Sequence, residues 1–509
     1  MGKKPQKKAN VPKDAPKKLS AQKRHELDQL IDKLFKLGFR QTQAPADQWN
    51  EYVEIQGILD RVQAIESTLK VKSSAAKNRL ATIETFCKWC EENGAQFEGV
   101  KIAEFPGYEL GLEASKDFKQ NDLVLTVPVK MIMSEERLTS YLIPIVSEIP
   151  LLDSMTNVKL AFGLLLERLR PDCFWKPYID LLPERHATVL YFSVNDMQEL
   201  KGSNLLGQAL NQCKSIARQY AFIHKCVQKV DTTKFGSDSV GKETFETLKE
   251  KFTYEFYRWA VSTVMTRQNA IPRSQPQPDN EQAANLMPAL IPLWDLANHK
   301  EGSFSSSYNI EQERLESCAL SDFNKGEQIF IYYGDRSNVE FLIHNGFVYP
   351  ENTKDSVTIR LGLSASDELL SERTILLERL KITKNFEFKI LKMPDYISPE
   401  LLAFVRIFNM NLEQLNHWTD SERAADLLHM DCALETSLES KTWMFLQTRL
   451  TLLLRAFPTT LEEDETLLSN HIKGQAKLGY IKAMVVQYRI LEKRILTNAL
   501  EYAKQRTKP

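Results

Sequence analysis

At 509 residues the chain is too long for a single core, so two or three domains are expected. Hydrophobic content of 43% and charged content of 26% are globular averages, which excludes a disordered or fibrous protein. The 66 Lys and Arg nearly cancel the 67 Asp and Glu, and a formal charge of −1 gives no global drive toward nucleic acid or membrane.

Residues 1–24 break that balance, with nine Lys or Arg against the single acid Asp14 and almost no large apolar residues. Such a segment cannot bury a core and is read as a solvated basic tail, with nuclear import or an anionic surface as open roles. Gln6 stands where N-myristoylation wants Ser or Thr. No apolar leader core and no 18-residue apolar span is present, so a soluble, intracellular protein is expected. Seven scattered cysteines suit a reducing compartment.

Three helices are predicted after the tail, over Leu27–Leu37, Tyr52–Leu69 and Asn78–Asn93, from apolar spacing of three and four. The third carries Cys87-Lys-Trp-Cys90. With no second CxxC and no close His pair, these are read as two thiols on a helix face. Phe97–Ser134 then alternates short apolar runs with Gly107, Gly111 and Pro128, and Leu123–Val127 is a predicted strand. Helical texture returns from about Glu135 to Gln282, with apolar stripes on Val158–Leu169, Ser215–Val230 and Thr253–Gln268, followed by a loop over Pro272–Asn280. Strands are expected again at Leu290–Trp294 and Gln328–Tyr332.

The two strand-rich blocks echo each other. Asp117–Val127 (DFKQNDLVLTV) and Asp322–Tyr332 (DFNKGEQIFIY) share Asp-Phe, a polar turn, an acid and an alternating strand. The echo is either a reused turn-plus-strand solution or the mark of one β domain split by a surface insert of about 150 residues. Beyond Pro350 the chain is mostly helical. Trp443–Leu454 is amphipathic, and Thr459 with Glu462 and Thr460 with Glu463 offer overlapping capping boxes.

The chemistry concentrates at Ile291–His299 (IPLWDLANH). Asp295 and His299, four apart, would share one face of a helical turn, but the other histidines form no spaced pair with them, so no metal is expected. A serine triad lacks its GxSxG elbow. Tyr332-Tyr333-Gly334 closes a strand, and His344-Asn-Gly-Phe347 follows ten residues on. Together with Asn298-His299, these motifs resemble the SET-domain methyltransferase family, in which an Asn-His motif and a strand ending Tyr-Gly cross in a knot-like arrangement. Ser262–Pro272, Ile291–His299 and Gly334–Ser337 place the resemblance in the branch related to the Rubisco lysine methyltransferase. Within that branch, the stretches resemble the actin-histidine N-methyltransferases, from about Tyr52 through the C-terminal helices.

The resemblance implies an α+β fold: a β-rich SET domain over 96–350, split by a helical insert at about 135–285, then an all-α substrate-binding domain over 351–509, with a helical segment over 25–95 ahead of them. It implies S-adenosylmethionine as cofactor and actin as protein substrate, in a monomeric, cytoplasmic enzyme needing neither nucleic acid nor membrane; nuclear entry stays open. Arg79 and Arg267 match cofactor arginines suited to a carboxylate. Tyr108, Glu109 and Leu110 match the N-terminal cofactor loop, Asn298 and His299 the cofactor's amino-acid and adenine parts, Asn345 and Gly346 backbone contacts, and Phe347 an adenine-packing ring. Asp295 belongs either to the cofactor pocket or only to the turn. Tyr333 matches the catalytic tyrosine, Trp294 a substrate-channel wall, and Arg336 a contact to the substrate backbone or the channel mouth. Asn269 is either a helix C-cap or the partner of a substrate ring nitrogen. Close relatives carry Glu-Gly-Phe-Gly-Leu where this chain has Tyr108-Glu-Leu-Gly-Leu112, so a positive φ at Glu109 would need its own explanation.

Methyl transfer from a sulfonium needs a neutral lone pair, in-line alignment and exclusion of water, and alignment can supply about 7–11 kcal/mol. Lysine first costs about 4–5 kcal/mol to deprotonate at pH 7, whereas histidine is mostly neutral there. A lysine methyltransferase of the same branch and an inactive SET-fold binding module are the competing expectations.

Overall fold

The computed structural model describes residues 19–42, 44–69, 79–138, 149–235, 238–274, 285–382, 385–432 and 434–507. Most of the basic tail, the helix start at Asn78 and most of the loop after Pro272 lie outside them. The chain divides into two compact units at His186/Ala187, Gln212/Cys213 and Tyr332/Tyr333.

In the first unit, Ala21–Leu37 and Pro45–Glu66 are helices that bury Leu27, Leu34, Ile55 and Val62. The second begins seven residues before the predicted Tyr52, because Pro45, with its fixed φ and missing N–H, suits a first helical turn. The cysteine-bearing segment is a 3₁₀ turn at Arg79–Thr82 followed by the helix Ile83–Glu92. Cys90 is buried and Cys87 half-buried; burial raises both thiols above their ordinary range, the wrong direction for a reactive thiolate. Thr156–Leu169 and Tyr254–Arg267 are helices as expected, the latter capped by the Thr253 side chain. The helix predicted at Ser215–Val230 runs from Leu205 to Lys229.

Four strands form one sheet in the order Val100–Phe105, Glu109–Ala114, Gln328–Ile331, Asn298–His299. The first three are antiparallel neighbours; Asn298 and His299 pair in parallel with Phe330 and Ile331. The two echoed blocks face each other about a local two-fold. Phe118 and Phe323 exchange backbone hydrogen bonds (2.8 and 2.9 Å). The Asp322 carboxylate accepts from the Gln120 N–H (2.9 Å), and the Asp117 carboxylate accepts from the Lys325 N–H (2.8 Å). The repeated sequence thus encodes two copies of one turn that hold each other.

The strand expected at Leu290–Trp294 lies earlier, at Leu286–Leu290, between Met133–Ser134 and Asn269–Pro272. Pro292 has no N–H to continue a ladder. Leu293 instead makes a γ-turn (φ +70°, ψ −54°), the Trp294 N–H donating to the Pro292 carbonyl at 2.9 Å, and Trp294–Leu296 is a 3₁₀ turn. Asp295 and His299 therefore do not share a helical face.

The second unit holds Pro399–Asn409, Thr436–Arg455 and Tyr480–Arg506 around Phe404, Trp443, Leu446 and Leu496. To the all-helical expectation it adds an antiparallel pair, Ser356–Arg360 with Glu387–Leu391. Of the overlapping capping boxes, Thr460 with Glu463 forms, while the Thr459 hydroxyl donates to Asp464 at 2.9 Å. Buried Asp464 also accepts from Arg489 (2.5 Å) and Lys493 (2.6 Å), and Arg489 donates to Glu199 (2.8 Å), tying the Ala187–Gln212 segment to the last helix.

One buried acid in the first unit makes stability depend on pH. Glu66 accepts from the Tyr220 hydroxyl and from the Tyr254 N–H (2.9 Å), and burial pushes its carboxyl up to about 8 from 4.5, with Glu255 adding to the rise. The native state then keeps a proton that the unfolded chain releases, so stability falls as pH rises from 4.5 to about 8 and is level above. Glu66→Gln should match the parent at pH 4.5 and exceed it by several kcal/mol, about 4, at pH 8 in urea unfolding. A constant difference across that range would contradict the assignment.

Candidate active site

The first unit gathers two arginines and two carboxylates from four distant segments. Arg79 donates through Nε to the Leu181 carbonyl and through Nη1 to Glu109, each at 2.8 Å. Arg267 donates through Nη1 to the Asp295 carbonyl oxygen at 2.8 Å and lies 3.4 Å from Oδ1 of the same residue. Tyr178 donates to Asp295 Oδ2 at 2.5 Å. Burial raises the Asp295 carboxyl, against the pull of Arg267 and the Tyr178 hydrogen bond. Burial, then the neighbouring Arg267, lowers Arg79. His186 bonds Thr263 Oγ1 at 3.0 Å, and burial with Arg267 and Arg79 nearby pushes it down to about 3, so it is neutral at pH 7.

Glu109 does adopt the left-handed backbone, at φ +58°, a conformation costing a non-glycine residue about 1–2 kcal/mol. Its ion pair with Arg79 is the interaction that accompanies it. Pro106-Gly107 turns the hairpin just before, with Gly107 at φ +83° and the Tyr108 N–H donating to the Phe105 carbonyl at 3.0 Å, as a type II turn requires.

A second cluster forms along the sheet. Asn298 Nδ2 donates to the Leu110 carbonyl at 3.2 Å. A Cβ on Gly111 would stand 2.5 Å from Gln328 Nε2 and 2.9 Å from Asn298 Nδ2, so glycine is what allows those two amides to close on the backbone. Gln328 Nε2 is buried and makes no hydrogen bond among the described residues. His299 is buried, its ring 5.9 Å from that of Tyr332, whereas Tyr108 is exposed and edge-on to Phe330. Trp294 donates to Ser306 Oγ at 2.8 Å, which fixes its ring. Asn269 opens the strand Asn269–Pro272 and so is no helix cap; that place is taken by Gln268. Its register partner is Ala289, five residues before Trp294.

In the second unit, Phe347 stacks on Phe341 at 4.8 Å, and the Tyr333 ring meets Phe347 edge-on at 6.3 Å. Phe341–Asn345 is a single π-helical turn closed by Gly346 at φ +77°. A Cβ there would lie 2.8 Å from the Ala187 carbonyl carbon, so both space and φ demand glycine. Arg336 donates to Asn345 Oδ1 at 2.9 Å, giving it a partner within its own unit.

Tyr178, His186, Gln328 and Ser306 were not singled out from the sequence as site residues. Their roles arise from contacts between segments far apart in the chain, and no local spacing marks them. Among the described residues no group of three or more His, Cys, Asp or Glu could hold a metal ion.

A SET-domain family model matches residues 109–334, and a model of the Rubisco LSMT substrate-binding domain matches residues 364–496. Solved structures agree on the fold. The SET domain of LSMT bound to lysine and AdoHcy covers 83% of this chain and 91% of its own at a TM-score of 0.65 and 22% identity. Rubisco LSMT bound to AdoMet covers 84% and 92% at 0.64 and 22%. Fold and motifs together define a SET-domain protein with a helical domain of the Rubisco LSMT substrate-binding type. Among curated relatives, the Drosophila melanogaster actin-histidine N-methyltransferase is 42% identical over 96% of this chain and 91% of its own length. The Homo sapiens protein of that name is 38% identical over 91% and 76%, and the Xenopus tropicalis one 37% over 95% and 80%. The chain belongs to the actin-histidine N-methyltransferase family.

Asp295 is the acid that the first cluster cannot lose cheaply. Asp295→Ala keeps the backbone carbonyl that Arg267 bonds but removes its buried counter-ion and the acceptor of the Tyr178 hydroxyl, and should cost about 3–5 kcal/mol in chemical unfolding. Asp295→Asn, which keeps an acceptor for Tyr178, should cost clearly less; equal losses would mean that the acceptor contributes nothing and that the lost charge alone sets the cost.

Proposed function

We propose that the chain is an S-adenosylmethionine-dependent protein methyltransferase that N-methylates a histidine side chain of actin. The observation that carries this reading is family membership over nearly the whole chain, through both the SET unit and the helical unit. Features of the fold support it. The pair of partly buried arginines suits the cofactor's methionine carboxylate, and the buried Gln328 Nε2, which has no hydrogen-bond partner among the described residues, suits a polar ligand.

When bound, S-adenosylmethionine supplies an electrophilic methyl group on a sulfonium. The roles inferred for this chain follow from its own side chains. Arg79 and Arg267 hold the carboxylate end, with Asp295 keeping Arg267 in place. Asn298 and the backbone of Tyr108–Leu110 bind the amino-acid part, His299 lines the pocket, and Phe347, Asn345 and Gly346 receive the adenine. Neutral His186, bonded to Thr263, adds no positive charge beside the two arginines. For the substrate, Trp294 offers a flat wall, Asn269 an amide for the far ring nitrogen, and Arg336 steadies Asn345 or the substrate backbone. Tyr333 places its phenol by the nucleophile, which attacks as a neutral imidazole and needs no strong base. A monomeric, cytoplasmic enzyme that uses neither nucleic acid nor membrane goes with this reading; the near-zero net charge and seven free cysteines support it, and among the described residues no helix is long and apolar enough to cross a membrane.

Transfer of labelled methyl groups to actin tests the proposal. Tyr333→Phe should cut the rate at least about 100-fold while S-adenosylmethionine affinity stays within about twofold. A large loss of affinity would mean that Tyr333 builds the pocket and not the reaction. The rate should rise with pH to about 7 and then level off, following a nucleophile that titrates near 6.5. A steady climb toward pH 10 would instead indicate lysine.

A further inference from the structure

We propose that Glu109 is a built-in competitor for the carboxylate seat on Arg79, so that this chain sets its affinity for the cofactor's amino-acid end through its own side chain. The inference rests on the cofactor reading above and concerns a residue for which that reading gave only a backbone role.

Arginine grips a carboxylate through two parallel N–H bonds, from either the Nε/Nη2 side or the Nη1/Nη2 end. At Arg79 the side is committed, because Nε donates to the Leu181 carbonyl at 2.8 Å. The end remains, and Glu109 Oε2 holds its Nη1 corner at 2.8 Å. The other carboxylate in the cluster, on Asp295, is turned to Arg267 and Tyr178. An incoming carboxylate that uses Arg79 fully must therefore displace Glu109 or share the guanidinium with it at like-charge distance.

The two partners differ in a way that makes displacement feasible. The Arg79 side chain is 19% exposed, while that of Glu109 is 77% exposed. The guanidinium stays fixed in the fold, and the carboxylate can swing into water, where such a pair is weak and screened. The backbone gives no reason for a glutamate here, since φ is +58° and glycine would be relaxed. Among the described residues, the polar contact of this side chain is the one with Arg79.

Calorimetry on the full chain and on Glu109→Gln, with two ligands, tests the proposal. S-adenosylhomocysteine carries the carboxylate; 5′-methylthioadenosine shares the nucleoside and lacks it. Glu109→Gln should bind S-adenosylhomocysteine about three- to tenfold more tightly at low salt, with 5′-methylthioadenosine changed less than about twofold. Glu109→Gly should show the same selectivity, with matching melting curves confirming that each variant folds. An equal change for both ligands, no change, or weaker binding of S-adenosylhomocysteine would overturn the competitor role. If the parent chain binds neither ligand, the cofactor reading itself falls, and the two failures are told apart by the parent's own isotherm.

Discussion

The strand Gln328–Ile331 is hydrogen-bonded on both edges, antiparallel to Glu109–Ala114 on one side and parallel to Asn298–His299 on the other. It thereby joins segments drawn from a span of more than two hundred residues, Glu109 to Ile331, and the site of the first unit depends on that junction. Parallel pairing cannot be closed by a tight turn, so the chain between His299 and Phe330 makes an excursion through Ser306–Asn309 and Arg314–Cys318 before returning. The reciprocal Asp117 and Asp322 turns brace the two approaches to the sheet. Gly111 then lets the Asn298 and Gln328 amides close over the middle strand.

Charge is distributed with the same economy. Burial, then the nearby Arg267, depresses Arg79, and each guanidinium pairs with a carboxylate: buried Asp295 for Arg267, exposed Glu109 for Arg79. The buried pair is structural, since its loss would strand a charge without water. The exposed pair is exchangeable. An anion-binding site built from one permanent and one releasable ion pair can accept a carboxylate without ever leaving a buried charge alone.

Much of this was legible in the sequence. The helices at Leu27, Val158 and Thr253 follow from apolar spacing, and the Asp-Phe echo marks two turns that do pair. Asn298-His299 and Tyr333-Gly334 identify the family before any geometry. Other features were not legible, for physical reasons. The γ-turn at Leu293 reflects the missing N–H of Pro292 and the demands of neighbouring strands, where β propensity alone would extend the strand to Trp294. Tyr178 meets Asp295 across 117 residues, and nothing local distinguishes it from any core tyrosine. Glu109 could be flagged as an unusual residue for its place, but its ion partner depends on where the Arg79–Thr82 turn packs. Of the two readings that the sequence leaves open for Asn269, the helix cap is excluded, because pairing with Ala289 makes it the start of a strand.

The central claim is that the methyl group ends on an imidazole nitrogen of actin. Residue-resolved mass spectrometry of actin incubated with the protein and isotopically labelled S-adenosylmethionine tests it most directly. The account predicts one labelled methyl group on a ring nitrogen of a histidine; label confined to lysine, or actin left unlabelled by a chain that binds the cofactor, would contradict it.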